Sequence, residues 1–235
     1  MGRRGPLRVF LRGIDALAGA LLAPRCAACA RLLESPLAGC VCPVCWRTTE
    51  QLATPVWTDR HIVSGAAAGR YEGPLRDIIH AYKYEGRRSL AGPLARLMAA
   101  AGDAVLRDAD VLVPVPLHPL RRLRRGFNQA SDLAYALDLP VAHALWRRHA
   151  TAPQVALPAI ARRTNVRNAF ILAPRWSSRR LRQCFGGHVL EDRVVVLIDD
   201  VRTTGATLDA CARTLRSAGV REVRALTTAA ADLRP

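Results

Sequence analysis

An apolar run that ends in two adjacent acids limits the possible folds of this 235-residue chain more than any other feature. Residues 194–198 are all branched aliphatic, which predicts a strand buried on both faces in the centre of a parallel sheet. Behind it, Gly219 is placed to end a helix whose apolar residues recur at helical spacing: Leu208, Cys211, Ala212 and Leu215. Residues 222–229 can form the next strand. The order strand, turn, helix, strand therefore predicts a parallel α/β sheet.

The turn between that strand and that helix carries the chemistry. Asp199 and Asp200 follow the apolar run directly, so they reach the carboxyl edge of the sheet, where α/β proteins bind ligands. The turn then offers unpaired backbone N–H groups and hydroxyls at the positive end of the helix, an arrangement suited to a phosphomonoester. Gly205 permits a close approach of the backbone. Paired acids beside a phosphate site indicate a sugar phosphate, and an ordinary capped turn is the simpler alternative.

A cluster of cysteines precedes this region. Five of the seven lie within twenty residues: Cys26, Cys29, Cys40, Cys42 and Cys45. Two C-x-x-C pairs, at 26–29 and 42–45, are typical of a four-thiolate zinc site. The regular spacing favours Cys42 over Cys40 as a ligand, and a disulfide staple in a secreted chain is the competing interpretation. The sequence therefore predicts a small lobe with a structural zinc ion held by Cys26, Cys29, Cys42 and Cys45.

The charge is strongly basic and almost entirely arginine. Lys+Arg outnumber Asp+Glu by 35 to 19, the net charge is +16, and Lys83 is the only lysine. Such a balance indicates anionic partners such as phosphates, nucleic acid or anionic lipid, although a genome-wide bias towards arginine and alanine explains about half of it. We expect the single lysine to have a specific anion or carboxylate partner. With 50% hydrophobic and 23% charged residues, the chain is not intrinsically disordered.

The N-terminal residues 1–23 superficially look like a signal peptide, but charged residues interrupt the apolar run. No window reaches the ~18–20 apolar residues that a membrane span needs. The apolar positions recur at helical spacing, which favours an amphipathic helix. We therefore expect a cytoplasmic protein without a membrane span. A break at Thr54 and Pro55 divides the chain into residues 1–55, with this helix and the zinc lobe, and an α/β domain over residues 56–235.

Several motifs together resemble a known family. Residues 199–207 are similar to the phosphoribosyl-pyrophosphate (PRPP) signature of type I phosphoribosyltransferases. Other segments resemble one branch of them, the ComF/GntX-like competence-protein family: the cysteine pairs and residues 82–86, 113–119, 124–129 and 162–170. The resemblance covers residues 22–229, nearly the whole chain. It implies a type I phosphoribosyltransferase-like parallel sheet flanked by helices, preceded by a zinc-ribbon-like lobe.

The resemblance also implies a role for each matched residue. Asp199 and Asp200 would hold the ribose hydroxyls, directly or through Mg²⁺. The 5′-phosphate would lie against Thr203, Thr204, Gly205, Ala206 and Thr207, and the pyrophosphate against Val115, Pro116, Leu117 and His118. Residues 121–129 lie where these enzymes carry a flexible loop that closes over PRPP, with Arg124, Arg125, Asn128 and Gln129 as its ligand contacts. Purely structural roles are the alternative for His118, Asn128 and Gln129. Thr203 stands where purine-salvage members often have an acid, so a purine acceptor is not supported.

Three functions remain open. The first is a pentosyltransferase that moves phosphoribosyl from PRPP to an unidentified acceptor and releases pyrophosphate. The second is an accessory protein of DNA uptake that binds single-stranded DNA or the competence machinery through the basic residues 121–125, 147–148 and 175–182. The third is a PRPP or nucleotide sensor without transferase activity. Single-strand binders usually stack bases on aromatic side chains, and only 5% of the residues are aromatic, so the transferase is ranked first.

Overall fold

A computed structural model describes residues 24–50, 57–148, 169–174 and 190–231. The predicted N-terminal helix, the basic residues 175–182, Cys184, most of the 162–170 motif and the predicted boundary at residues 55 and 56 lie outside these ranges. The helices are α1 (Pro43–Glu50), α2 (Gly73–Tyr84), α3 (Ala91–Ala101), α4 (Asp103–Leu106), α5 (Pro119–Arg125), α6 (Gln129–Tyr135) and α7 (Ala206–Ser217). The strands are β1 (Trp57–Asp59), β2 (Ile62–Ala67), β3 (Val111–Pro114), β4 (Leu145–Arg147), β5 (Phe170–Leu172), β6 (Val194–Arg202) and β7 (Glu222–Ala230).

Five strands form the central sheet in the order β1-β2-β7-β6-β3. Strands β2, β7, β6 and β3 pair with one another in parallel, and β1 is antiparallel to β2. The predicted buried strand is therefore β6, which pairs with β7 on one side and β3 on the other. A second, two-stranded sheet pairs β4 with β5 in antiparallel fashion. The parallel α/β fold predicted from the sequence is confirmed.

Helices cover both faces of the sheet, and the alternation of side chains along β6 shows why its apolar run is continuous. Val196 and Ile198 join a cluster with residues of α2, α3 and α6. Val195 and Leu197 point the other way and pack with α7. Because successive side chains of a strand face opposite sides, every residue of the run must be apolar. Cys211 of α7 is fully buried in the second cluster, as its position in the helical pattern indicated.

The cysteine-rich segment packs against the first of these clusters. It contains a short 3₁₀ turn, Pro36–Ala38, and helix α1. Cys26, Leu33, Val41 and Cys45 are buried with apolar residues of α2 and α3. In the ranges that the structure describes, no helix is both long and apolar enough to cross a membrane.

Candidate functional site

A cleft of about 600 Å³ lies at the carboxyl edge of β3 and β6. Three segments bring eleven of the predicted ligand residues to its wall: Asp199, Asp200 and Thr207; Val115, Pro116, Leu117 and His118; and Arg124, Arg125, Asn128 and Gln129. Of the other four, Thr203, Thr204 and Gly205 lie in the turn between β6 and α7, and Ala206 is the first residue of α7. The wall also contains residues for which no role there was predicted, above all Lys83, Tyr84 and Arg147.

The two acids lie within β6 rather than after it. The ladder with β7 continues through Asp199, opposite Thr227, to Arg202, opposite Ala230. Sheet pairing therefore fixes the backbone of both acids. The Asp200 N–H donates to Asp199 Oδ1 over 2.9 Å, which sets the orientation of one carboxylate relative to the other.

Lys83, from the last turn of α2, makes an ion pair with the second acid. Its Nζ lies 2.8 Å from Asp200 Oδ1, and the side chains of Lys83 and Asp200 are 12% and 15% exposed. Burial opposes the charge on Lys83, but the carboxylates of Asp200 and Asp199 more than offset this and raise its pKa. Burial and the neighbouring Asp200 raise the pKa of Asp199 to about 7, against the effects of the Asp200 N–H, Lys83 and Arg147. The specific partner expected for the only lysine is therefore Asp200.

The turn after β6 leaves the start of α7 open. Gly205 is the residue before the helix, with φ +74° in the left-handed region, and has no side chain that could cap the first N–H groups. The contact there from Thr204 Oγ1, which accepts from Ala206 N, is long at 3.5 Å. A Cβ at Gly205 would lie 3.0 Å from Asp59 Oδ2. The first N–H groups of a helix have no partner within it, so this turn can bind an anion.

Hydrogen bonds hold the loop that follows β3, and two of them involve Val115 at its start. Val115 N donates to Ile198 O over 2.9 Å, and Asn128 Nδ2 donates to Val115 O over 3.1 Å. Asn128 Oδ1 also accepts from Ala130 N at the start of α6. His118 Nδ1 accepts from Leu120 N at the start of α5; burial and the charges of Arg147 and Arg121 lower the pKa of His118. Both Asn128 and His118 therefore have structural contacts, the alternative that the sequence left open.

Residues 121–129, expected to lie where the family carries a flexible loop, begin within a helix. Helix α5 spans Pro119–Arg125 and ends at Gly126, which has φ +75°. Proline at the first helical position, a capping side chain before it and a run of leucine and arginine all favour a helix here. Arg125 lies over the ring of Tyr84, with its guanidinium carbon 4.7 Å from the ring centre. Arg124 and Arg125 are therefore presented from a helix.

Gln129 lies in the cleft wall with its side chain almost completely buried. The residue is 1% exposed, and among the described residues neither its Nε2 nor its Oε1 has a hydrogen-bond partner. Its backbone is held in place because Tyr82 Oη donates to Gln129 O over 3.1 Å. Buried amides normally have partners, so this side chain is available to a polar ligand.

Arg147 reaches the cleft from the second sheet. It is the last residue of β4, and its guanidinium carbon lies 5.4 Å from the centre of the Phe170 ring in β5. Burial and the charge of Arg121 lower its pKa. The sequence analysis considered Arg147 only as part of a basic stretch for DNA, because a strand of three residues carries no signal that it ends at a cleft.

The four cysteines of the two C-x-x-C pairs lie together. The Sγ atoms of Cys26, Cys29, Cys42 and Cys45 all lie within 4.8 Å of one another. Those of Cys29 and Cys42 are 3.8 Å apart. Four sulfurs bound to one tetrahedral zinc ion at about 2.3 Å are themselves about 3.8 Å apart. Cys40 lies outside the group and its Sγ is 3.8 Å from Ser89 Oγ.

The polypeptide also stabilises thiolate at this cluster. The N–H groups of Ala28 and Cys42 donate to Cys26 Sγ over 3.4 and 3.3 Å. Burial alone would raise the pKa of Cys26, but the N–H groups more than offset it and lower this pKa to about 6. Burial and the neighbouring thiols raise the pKa of Cys45. None of the six described cysteines forms a disulfide, and the arrangement fits a metal ion such as zinc.

A family model matches the C-terminal half of the chain, and known proteins match most of its length. Residues 110–233 match the family model described as phosphoribosyl transferase domain. Competence protein F of Haemophilus influenzae is 34% identical over 180 residues, which are 72% of this chain and 72% of that protein. DNA utilization protein YhgH of Salmonella typhimurium is 32% identical over 222 residues, 85% of this chain and 87% of that protein.

Two further matches have lower identity. Competence protein ComFC of Bacillus subtilis is 28% identical over 207 residues, 83% of this chain and 78% of that protein. The solved orotate phosphoribosyltransferase of Aeropyrum pernix is 16% identical, covering 78% of this chain and 90% of that one, with a TM-score of 0.33. From the family model and the sequence relatives together, the chain belongs to the phosphoribosyltransferase domain family, in its ComF/GntX-like competence-protein branch.

Proposed function

We propose that the cleft binds PRPP with Mg²⁺ and that the protein transfers the phosphoribosyl group to an acceptor, with release of pyrophosphate. One observation carries the proposal: a pair of acids is joined by a short turn to the open start of a helix, within a cleft lined with cations. The acids suit vicinal hydroxyls, and the helix start suits a monophosphate. A volume of about 600 Å³ is in the usual range for a small-molecule site.

Each part of the ligand has a matching part of the cleft. The ribose hydroxyls would bind Asp199 and Asp200, and the 5′-phosphate would bind the turn from Thr203 to Thr207. The pyrophosphate would lie between the loop of residues 115–118 and the guanidinium groups of Arg124 and Arg125. Arginine binds phosphate oxygens in bidentate fashion, and the amide of Gln129, without a partner among the described residues, can both donate to and accept from the ligand.

In the transfer step, the bond from the anomeric carbon to pyrophosphate breaks and a bond to the acceptor forms. The electron pair of the broken bond leaves with pyrophosphate, so negative charge grows there while the ribose ring becomes oxocarbenium-like. Arg124 and Arg125 stabilise the departing charge, and a water-excluded cleft strengthens that attraction. Mg²⁺ prefers hard oxygen ligands such as those of pyrophosphate, and when bound with PRPP it would supply further positive charge there.

PRPP binding is measured through thermal stability. With Mg²⁺ and PRPP at 100 times its dissociation constant, the fold should gain ~2.7 kcal/mol, or roughly 5–10 °C in melting temperature for a domain of this size. Asp199→Asn with Asp200→Asn should abolish the shift. Asp103→Asn, which removes a carboxylate that is 77% exposed, should keep it. Equal shifts in the wild type and the double variant would show that the acids do not bind PRPP.

A second candidate function is DNA handling. It is favoured by the names of the relatives, which refer to competence and to DNA utilization, and by the arginines at the cleft. Arg124→Ala with Arg125→Ala separates the two functions. A transferase site should lose PRPP affinity in this variant, whereas a DNA site should lose affinity for a single-stranded oligonucleotide and keep PRPP.

The oligonucleotide titration is made at two salt concentrations. For nonspecific binding to single strands, the logarithm of the affinity falls with the logarithm of the salt concentration, with a slope of about −0.7 per neutralised phosphate. Weak and salt-sensitive binding therefore supports the transferase. The matched control is Arg76→Ala with Arg107→Ala, whose side chains are 60% and 68% exposed. If Arg124→Ala with Arg125→Ala keeps PRPP binding but loses salt-resistant DNA binding, DNA handling becomes the favoured function and the transferase the second. If the wild type binds PRPP but transfers no phosphoribosyl group, the result would instead indicate a PRPP sensor without transferase activity.

We also propose that Cys26, Cys29, Cys42 and Cys45 hold one structural Zn²⁺ ion. Four sulfur donors at tetrahedral spacing suit zinc, and the N–H groups directed at Cys26 Sγ stabilise the thiolate form that a metal ion requires. The ion would tie helix α1 to the turn at residues 26–29. It would thereby supply much of the folding energy of a segment with few apolar residues of its own.

A further inference from the structure

Lys83 is an unusual choice of cation at the floor of the cleft. It is the only lysine in a chain with 34 arginines, the remainder of the 35 basic residues. An ammonium group is a compact point charge, whereas a guanidinium group is planar and broad. In a chain whose other basic residues are all arginine, the lysine places a compact positive charge beside Asp200.

The ion pair occupies one oxygen of Asp200. Lys83 Nζ lies 2.8 Å from Oδ1, and both side chains are largely buried. A divalent metal ion bound directly to the same oxygen would lie within about 2.1 Å of it and would be repelled by the ammonium charge. The second oxygen of Asp200 has no such neighbour in the described part of the chain, so it remains for a ribose hydroxyl.

We propose that Lys83 is a positioning residue that supplies, at the acid pair, the positive charge that a divalent metal ion would otherwise supply. This inference rests on the proposed phosphoribosyl site. It has two consequences. The acid pair of the free protein does not bind a divalent metal ion, and a phosphoribose without pyrophosphate binds without Mg²⁺. Any Mg²⁺ requirement then comes from the pyrophosphate alone.

Metal binding by the free protein tests the first consequence without any phosphoribosyl ligand. Mn²⁺ titration followed by electron paramagnetic resonance should show no site at the acid pair in the wild type. Lys83→Met should bind Mn²⁺ about tenfold tighter or more, in the usual range of coupling between two competing ligands. Lys83→Arg should behave as the wild type, and Lys83→Met with Asp200→Asn should lose the new site. Equal Mn²⁺ affinity in the wild type and Lys83→Met would overturn the proposal.

The wild-type fold allows a second test, in case Lys83→Met does not fold. Reductive methylation with ¹³C-formaldehyde labels Lys83 as the only lysine side chain, so its N-methyl resonance reports on this ion pair. Mg²⁺ alone should leave the resonance unshifted, and ribose 5-phosphate should shift it equally with and without Mg²⁺. A shift by Mg²⁺ alone, or a ribose 5-phosphate response that needs Mg²⁺, would overturn the proposal. If no phosphoribosyl compound shifts the resonance while the Mn²⁺ results hold, the proposed function fails and the metal-excluding role of Lys83 stands.

Discussion

Asp199→Asn should stabilise the free protein at pH 8, even though it removes a group that we propose binds the ligand. Burial and the charge of Asp200 raise the pKa of Asp199 from the ordinary 3.8 to about 7 in the folded state. Each pKa unit is worth about 1.36 kcal/mol, so the charged form of Asp199 costs the fold on the order of 4 kcal/mol. Asparagine has nearly the same shape and avoids this cost, and active sites often trade stability for function in this way.

The pH dependence has a definite sign. Below pH 3.8 the carboxyl group is protonated in both states, so it costs nothing. Between pH 3.8 and 7 the unfolded chain loses this proton and the folded protein keeps it, so the free energy of unfolding falls as pH rises. Above pH 7 the group is charged in both states, so the free energy of unfolding falls no further. Between pH 5 and pH 8, the stability advantage of Asp199→Asn over the wild type should therefore grow by about 3 kcal/mol.

Urea denaturation at the two pH values measures this difference. Asp103→Asn removes an exposed carboxylate and should change stability by the same small amount at both. An Asp199→Asn variant whose advantage does not change with pH, or which is less stable than the wild type at pH 8, would refute the argument from burial and Asp200.

Two further predictions concern the metal cluster and the phosphate turn. Elemental analysis should find about one zinc ion per chain; Cys42→Ser should lose it and Cys40→Ser should keep it, and zinc loss in both variants would contradict the four-sulfur assignment. In Gly205→Ala the free energy of unfolding in urea should fall by about 1–2 kcal/mol, because alanine is disfavoured in the left-handed region. The added Cβ would also crowd Asp59 and weaken PRPP binding in the thermal-shift assay. Gly219→Ala, with φ +90° at the other end of α7, should lose similar stability and keep PRPP affinity; equal PRPP affinity in all three proteins would exclude the turn as the phosphate site.

The sequence predicted what depends on local pattern and missed what depends on distant pairing. The aliphatic run of β6 and the periodicity of α7 predicted a strand and a helix, because burial on both faces and on one face leave different patterns. The end of β6 was placed too early, since only the ladder with β7 shows that pairing continues to Arg202. The pair formed by Lys83 and Asp200 joins distant parts of the chain, so no local pattern could identify the partner. At residues 121–125 the expectation came from the family resemblance alone, and the helix found there was not predicted.

Helix α2 connects the cysteine segment with the cleft. Its apolar residues share one cluster with Cys26, Val41 and Cys45, and its last turn carries Lys83 into the cleft. Arg87 Nη1, just beyond α2, donates to Arg25 O over 3.2 Å. A shortened chain that began after residue 56 would therefore lack the partners of α2 and leave apolar surface exposed. Because the short cysteine segment and the large α/β unit share one cluster of buried residues, we expect oxidation of the thiols to disturb the cleft as well.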